Sequence, residues 1–306
     1  MPHPVSFELM PPRNSTAAIA LGRTIDRLAE VSPAFFSVTF GAGGSNREHS
    51  LTVLRYILAH TSVDAMAHLT CVGSSHAEAN RLVREFLDAG VTSFLALRGD
   101  PPTETADGVE PEIGDLHSAA ELVQLILRVQ EEREPFAQEQ LRGVPGAGRI
   151  RSRQRPVRVA VAAFPNGHPR SQSASQELDA LLAKQVAGAT MAITQLFWQA
   201  DDYLGYVEAA RAHGVSIDIL PGIMPTTSSA RLDRLETLTG VSTPVELRSA
   251  LATAETPEAA LAIGTSHAAQ LAEQVLRGGA PGLHLYTFNQ HEAVLATLHQ
   301  LRLRQQ

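Results

Sequence analysis

The sequence predicts an α/β protein in which eight parallel strands alternate with helices and close into a (β/α)8 barrel. Three observations carry this. Short apolar runs of strand type recur along the chain, segments with helical spacing separate them, and nearly every run ends on a polar residue.

The runs are "VSFELM" (5–10), "FFSVTF" (35–40), "AMAHLTC" (65–71), "SFLALRG" (93–99), "RVAVAAF" (158–164), "MAITQLF" (191–197), "SIDILPG" (216–222) and "GLHLYT" (282–287). Their density of Val, Ile, Leu and Phe suits strands buried on both faces of a parallel sheet. Between them, Leu21, Ile25 and Leu28 share one helical face, as do Leu51, Leu54 and Leu58. Leu82 and Phe86 share a third before Gly90 stops the helix, and "ELVQLILRVQEE" supplies a fourth. Capping hydroxyls are expected at Ser75, Thr243 and Thr256, the last two followed by Pro at the first helical position. Gly278–Gly279 closes the last long helix of a two-helix excursion (243–277) before strand eight. Residues 134–156, rich in Gly, Pro and Arg, read as a surface loop. One catalytic domain over 1–306 with TIM-barrel architecture is the expectation.

A net charge of −7 argues against nucleic-acid or anionic-membrane partners. Cys71 is the only cysteine, which excludes a disulfide framework and a thiolate metal site. No signal-peptide pattern opens the chain and no run approaches the roughly 18 apolar residues of a membrane span. A cytoplasmic protein is expected.

Barrel chemistry sits at the C-terminal ends of the strands. Those ends carry Glu8, Thr39, His68 with Thr70, Arg98 with Asp100, Phe164 with His168, Gln195, and Tyr286 with Thr287; the seventh ends in "PGIMP". Each alone has a plain structural reading: a rim carboxylate for Glu8, a satisfied core imidazole for His68, a loop-tying amide for Gln195. Their convergence on one rim favours function. No paired metal-ligand spacing such as HxH or HExxH is present, so no metal is expected. The glycine-rich "TFGAGGSNREHS" (39–50) could hold an anion or merely cap a helix; it matches neither nucleotide-loop pattern. Lys184, the one lysine among 25 basic residues, lies on a helical stretch, which disfavours a Schiff-base role.

Taken together, "SFELMPP", "FFSVTFGAGGS", "AHLTC", "LALRGDPP", "AAFPNGHP", "AITQLFW", "PGIMP" and "PGLHLYTFN" resemble, in order, the 5,10-methylenetetrahydrofolate reductase family. The resemblance implies bound FAD, NADH or NADPH as electron donor, a folate substrate and ping-pong turnover. It implies that Glu8 is the acid that opens the folate's five-membered ring and that Asp100 lies between flavin and folate. Thr39, His68, Arg98, Gly99, Asp100, Ala119, Phe164, His168, Glu177 and Lys184 would then cradle the flavin. Gln195, Leu235, Tyr286 and Gln290 would meet the folate. Phe164 replaces a tyrosine of the family pattern, Glu177 an aspartate, Leu235 a phenylalanine and Gln290 an arginine. A homodimer or homotetramer is expected, and, because the chain stops near 306, no adenosylmethionine inhibition. Operation as a methyltetrahydrofolate oxidase, a proline dehydrogenase-type flavin barrel, and a non-catalytic folate- or flavin-binding subunit stay open as alternatives.

Overall fold

The structure, a computed structural model, describes residues 3–40, 47–99, 114–133, 137–140, 148–151, 156–168, 171 and 173–304. Asp100 and most of the glycine-rich stretch after Thr39 lie outside the described residues.

The chain begins with four strand–helix pairs: β1 (Val5–Leu9) and α1 (Ser15–Ala29), β2 (Phe35–Val38) and α2 (Arg47–His60), β3 (Asp64–Thr70) and α3 (His76–Asp88), β4 (Ser93–Leu97) and α4 (Ala119–Arg133). A hairpin of β5 (Ala137–Gln140) and β6 (Gly148–Arg151) follows, then β7 (Arg158–Ala163), α5 (Ala174–Val186), β8 (Met191–Thr194) and α6 (Ala200–Ala212). The last part contains β9 (Asp218–Leu220), β10 (Gly222–Ile223), α7 (Ser229–Thr239), α8 (Val245–Ala252), α9 (Pro257–Arg277), β11 (Leu283–Tyr286) and α10 (His291–Arg304).

Nine strands form one parallel sheet in the order β10-β11-β1-β2-β3-β4-β7-β8-β9. The expected seventh strand is divided at Pro221, which has no N–H to give a ladder. Its first half, β9, pairs with β8; its second half, β10, pairs with β11. The two ends of the strand order are therefore one residue apart in sequence, and the sheet is a nearly closed α/β barrel of nine segments rather than eight continuous strands. Pro221 still contributes its carbonyl, which accepts from His284 N at 3.0 Å.

The two-helix excursion expected over 243–277 is present as α8 and α9, with α7 preceding it. Two local expectations change. Thr243 is no cap: its hydroxyl donates to Glu236 Oε2 at 2.9 Å, and Pro244 takes the cap position of α8. Part of the expected 134–156 loop pairs as an antiparallel hairpin, Ala137 opposite Arg151 and Gln140 opposite Gly148. Its sequence is polar, so no apolar alternation announced it. Ser75 and Thr256 do cap α3 and α9, each accepting from a first-turn N–H, and Ser75 completes a capping box with Glu78.

Two apolar layers position the site. Side chains on the outer faces of the strands pack against the helices in one large core that includes Phe7, Phe36, Phe94, Val159, Val161 and Leu285. Each such fully buried large side chain contributes about 1.5–3 kcal/mol. Inside the barrel, Phe35, Met66, Leu95, Ala160, Ile193 and Leu220 form a plug, so the residues one layer higher face a cavity closed from below. A third cluster, with Trp198, Met224, Leu232, Leu235, Leu247 and Leu251, anchors α7 and α8.

Candidate active site

A cavity of about 840 Å³ opens at the C-terminal ends of the strands. The parallel register sets Glu8 directly between Tyr286 and Ser37 on its neighbouring strands. His68 comes from β3, and its Nε2 lies 3.8 Å from Glu8 Oε2, beyond hydrogen-bond length. Burial raises the Glu8 carboxyl to about 8 and lowers the His68 imidazolium to about 3. At neutral pH the two are a protonated acid beside a neutral imidazole, not an ion pair. His68 Nε2 and Ser37 Oγ are buried and have no hydrogen-bond partner among the described residues. Among the described residues, nothing satisfies His68 at Nε2, as the plain core reading would require.

Beneath this pair, His284 is held by Ser6, with 2.8 Å between Nδ1 and Oγ. Ser6 Oγ also donates to Leu283 O at 3.1 Å, so the ring proton sits on Nδ1. Burial holds His284 down to about 3, with His68 adding to the effect. Tyr286 spans the closing seam: its hydroxyl donates to Thr194 O at 2.7 Å, and its ring lines the cavity. Only glycine fits opposite. A Cβ on Gly222 would meet Thr194 O at 2.3 Å and Tyr286 Cε2 at 2.7 Å.

The backbone of Glu8 is fixed by the turn after β11. Thr287 Oγ1 donates to Glu8 O at 2.6 Å. Asn289 clamps Met10 from both sides, Oδ1 accepting from its N–H and Nδ2 donating to its carbonyl, each at 2.8 Å. Phe288 and Asn289 pay for this with φ of +47° and +59°, a left-handed pair that Asn tolerates better than most residues.

Across the cavity, Lys184 reaches inward from α5. Its Nζ donates to Ala162 O at 2.9 Å and lies 5.9 Å from the Phe164 ring, which meets His168 edge-on at 4.6 Å. Burial lowers the Lys184 ammonium while Glu177 pulls it back up. Glu177 Oε2 accepts from Ser171 Oγ at 2.9 Å, but its buried Oε1 has no partner among the described residues. Arg98 and Gly99 follow β4. The Arg98 carbonyl accepts from Cys71 N at 3.2 Å and Val72 N at 2.9 Å. Gly99 has φ +84°, a conformation that favours glycine, and a Cβ there would lie 3.0 Å from Thr70 Cβ, a tight approach.

Of the residues singled out from sequence, Glu8, Thr39, His68, Arg98, Gly99, Ala119, Phe164, His168, Glu177, Lys184, Gln195, Leu235 and Tyr286 all line this one cavity. Gln195 Oε1 accepts from Leu196 N at 2.8 Å. Gln290 does not line it; its Oε1 accepts from Arg231. The cavity also takes in Phe40, His117, Ser118, Met224 and Phe288, which sequence reasoning passed over. Ser118 was legible: with Glu121 it makes the S-x-x-E box that starts α4 at the cavity wall.

A parallel α/β barrel whose mouth holds a neutral buried acid beside a cavity sized for a large organic ligand defines a barrel enzyme of acid-assisted chemistry. The family model for methylenetetrahydrofolate reductase matches residues 3–302. Curated relatives named 5,10-methylenetetrahydrofolate reductase include that of Pectobacterium carotovorum, 31% identical over 98% of this chain and 90% of its own. That of Salmonella typhimurium is 30% identical over 98% of this chain and 91% of its own. The chain belongs to the methylenetetrahydrofolate reductase family. Among solved structures, a Clostridium thermocellum protein that binds two copies of 5-methyl-5,6,7,8-tetrahydrofolic acid aligns with a TM-score of 0.62 at 15% identity, over 97% of this chain and 95% of its own. A Xanthomonas albilineans dihydropteroate synthase aligns at 0.53 and 14%, over 99% and 91%. At these identities the likeness is one of fold.

Proposed function

We propose that this chain is a cytoplasmic oxidoreductase of one-carbon metabolism that reduces 5,10-methylenetetrahydrofolate to 5-methyltetrahydrofolate, oxidising NADH or NADPH. The (β/α)8 count follows if β9 and β10 are one strand broken at Pro221, and residues 1–306 then act as one catalytic unit that assembles as a dimer or tetramer. Family membership and the protonated state of Glu8 carry this reading.

The residues present fit FAD. Glu177 Oε1, without a partner among the described residues, is an acceptor in want of a hydroxyl donor, as a ribityl chain offers, and Lys184 and Arg98 bring positive charge to the same cavity. Thr39, His68, Gly99, Ala119, Phe164 and His168 would complete the cradle, and Asp100 would reach both ligands. FAD held by these residues would supply the hydride chemistry that links the nicotinamide to the folate's bridging carbon.

The chain itself supplies the proton. Glu8, held neutral by its apolar surroundings, donates from its carboxyl to N10 of the folate, so the five-membered ring opens to the iminium that takes the hydride. His68, neutral and 3.8 Å away, places no cation beside the acid and so leaves its proton in place. Gln195, with Oε1 tied to Leu196 N, presents its amide N–H groups to the acceptors of a pterin edge. Leu235 and the Tyr286 ring give the apolar faces that exclude water.

Steady-state turnover tests this. With NADH or NADPH and methylenetetrahydrofolate varied together, parallel double-reciprocal lines and stoichiometric 5-methyltetrahydrofolate are expected. Absence of product with both nicotinamides would overturn the proposal.

A further inference from the structure

A second cavity, of about 630 Å³, opens between the starts of α6 and α8 and one face of α9. None of the residues that line it lines the active-site cavity. We propose that it binds a zwitterionic α-amino acid with an apolar side chain, and that its occupancy is felt at Gln195 in the active site. The binding stands apart from the proposed function, whereas the coupling rests on it.

The lining sets the ligand's chemistry. Trp198 is 5% exposed, lines the cavity, and carries at Nε1 a buried donor with no hydrogen-bond partner among the described residues. Leu247 and Ile263 extend the apolar surface that its indole begins. Gln199 and Pro244, the cap residues of α6 and α8, both border the same space, and neither helix has a side-chain cap. The first-turn N–H groups of two helices are thereby left to other acceptors, and a carboxylate is the acceptor that a helix start favours. Glu246, exposed in the first turn of α8, lines the cavity and makes no ion pair among the described residues, which supplies the partner for an ammonium. His267, whose ring centroid lies 6.2 Å from that of Trp198, is pushed by burial toward its neutral form and so adds no competing cation. A carboxylic acid alone would leave Glu246 unmet, and an amine alone would leave the helix starts unmet. A molecule with both charges on one carbon and an apolar side chain satisfies the whole lining.

The coupling follows from the wall between the cavities. Gln195 and Leu196 line the active site, while Trp198 and Gln199, three residues further along, line the second cavity. Leu196, Trp198 and Leu247 belong to one apolar cluster with Met224 and Leu235, two more residues of the active-site wall. A ligand packed on Trp198 therefore presses on the segment that carries Gln195.

Trp198 is the chain's only tryptophan, so intrinsic fluorescence reports on this cavity. The FAD-loaded enzyme is titrated with L-leucine, L-methionine and L-phenylalanine, and the best of the three is compared with its deaminated and its decarboxylated analogue. A saturable change is expected for the amino acid, with each analogue binding about ten-fold or more weakly. Glu246→Gln should abolish the preference over the deaminated analogue. No response to any of the three up to about 10 mM, equal binding of amino acid and analogues, or binding unchanged in Glu246→Gln would overturn the site. At saturation the amino acid should change KM for methylenetetrahydrofolate about two-fold or more, and Glu246→Gln should need about ten-fold more ligand for the same effect. Saturation with no change in KM overturns the coupling. A protein that binds the amino acid yet reduces no folate refutes the proposed function and leaves the site standing.

Discussion

Replacing Glu8 by Gln keeps the side chain's size and removes its titratable proton. In the unfolded chain this carboxyl ionises near 4.5; in the folded barrel, burial raises that to about 8. Below 4.5 both states hold the proton and folding carries no penalty. As pH rises toward 8 the unfolded chain releases the proton while the folded one keeps it, so stability is lost across that window. At about 1.4 kcal/mol for each pH decade, the loss by pH 8 is at most about 5 kcal/mol. The side chain is 20% exposed, which trims the figure to a few kcal/mol. Glu8→Gln should therefore be more stable than wild type at about pH 8 and nearly equal to it at about pH 4.5. Urea denaturation of both proteins at the two pH values, each saturated with FAD, reads the difference. A gap that does not widen with pH would refute the reasoning that burial holds Glu8 neutral. The same variant should lose folate reduction by about 10²–10⁴-fold, the range for removal of a general acid, while its reduction by NADH is spared.

Three more expectations follow from particular contacts. On the acid side, His68 and His284 are held neutral in the folded barrel, so the stability they carry is present above about pH 6.5 and is lost as pH falls toward 3; His284→Phe should flatten part of that limb in an acid-denaturation series. Asn289→Ala forfeits both Met10 hydrogen bonds and strains a residue at φ +59°, which should cost about 2–4 kcal/mol by urea denaturation and also lower kcat through a displaced Glu8; a loss under about 0.5 kcal/mol would contradict the clamp. Lys184→Met together with Glu177→Gln should yield protein that loses its yellow colour on gel filtration, and full FAD retention would remove both residues from the cradle.

Much of the barrel was legible because its apolar runs are dense and its mouth residues sit at the ends of those runs. Glu8, His68 and Gln195 could be placed on one rim from order alone, since a parallel barrel brings every strand's C-terminal end to the same face; Lys184, on a helix, could not. What escaped depended on partners distant in sequence. Pro221 in an otherwise apolar run does not say that its two halves pair with different strands. Thr243 before a proline looks like a cap, yet Glu236 captures its hydroxyl. Asn289 reads as a turn residue, and only the fold reveals Met10 beside it. Gln290 was expected to meet the folate; the structure shows its Oε1 accepting from Arg231, a residue with no sequence signal beyond its charge. Gly99, expected in the flavin cradle, lines the cavity, and its positive φ of +84° is a further reason for glycine that the sequence did not announce. The proposed place of Asp100 between flavin and folate lies outside the described residues, and Asp100→Asn, assayed in both half-reactions, addresses it directly.

The central claim is that one bound flavin in this cavity takes electrons from a nicotinamide and gives them to a folate protonated by Glu8. Anaerobic absorbance spectroscopy of the purified protein tests it most directly. NADH should bleach the flavin band, and methylenetetrahydrofolate added afterwards should restore it in wild type; in Glu8→Gln the band should bleach but fail to return. Recovery of the band in Glu8→Gln at the wild-type rate, or a wild-type band that methylenetetrahydrofolate cannot restore, would contradict the account.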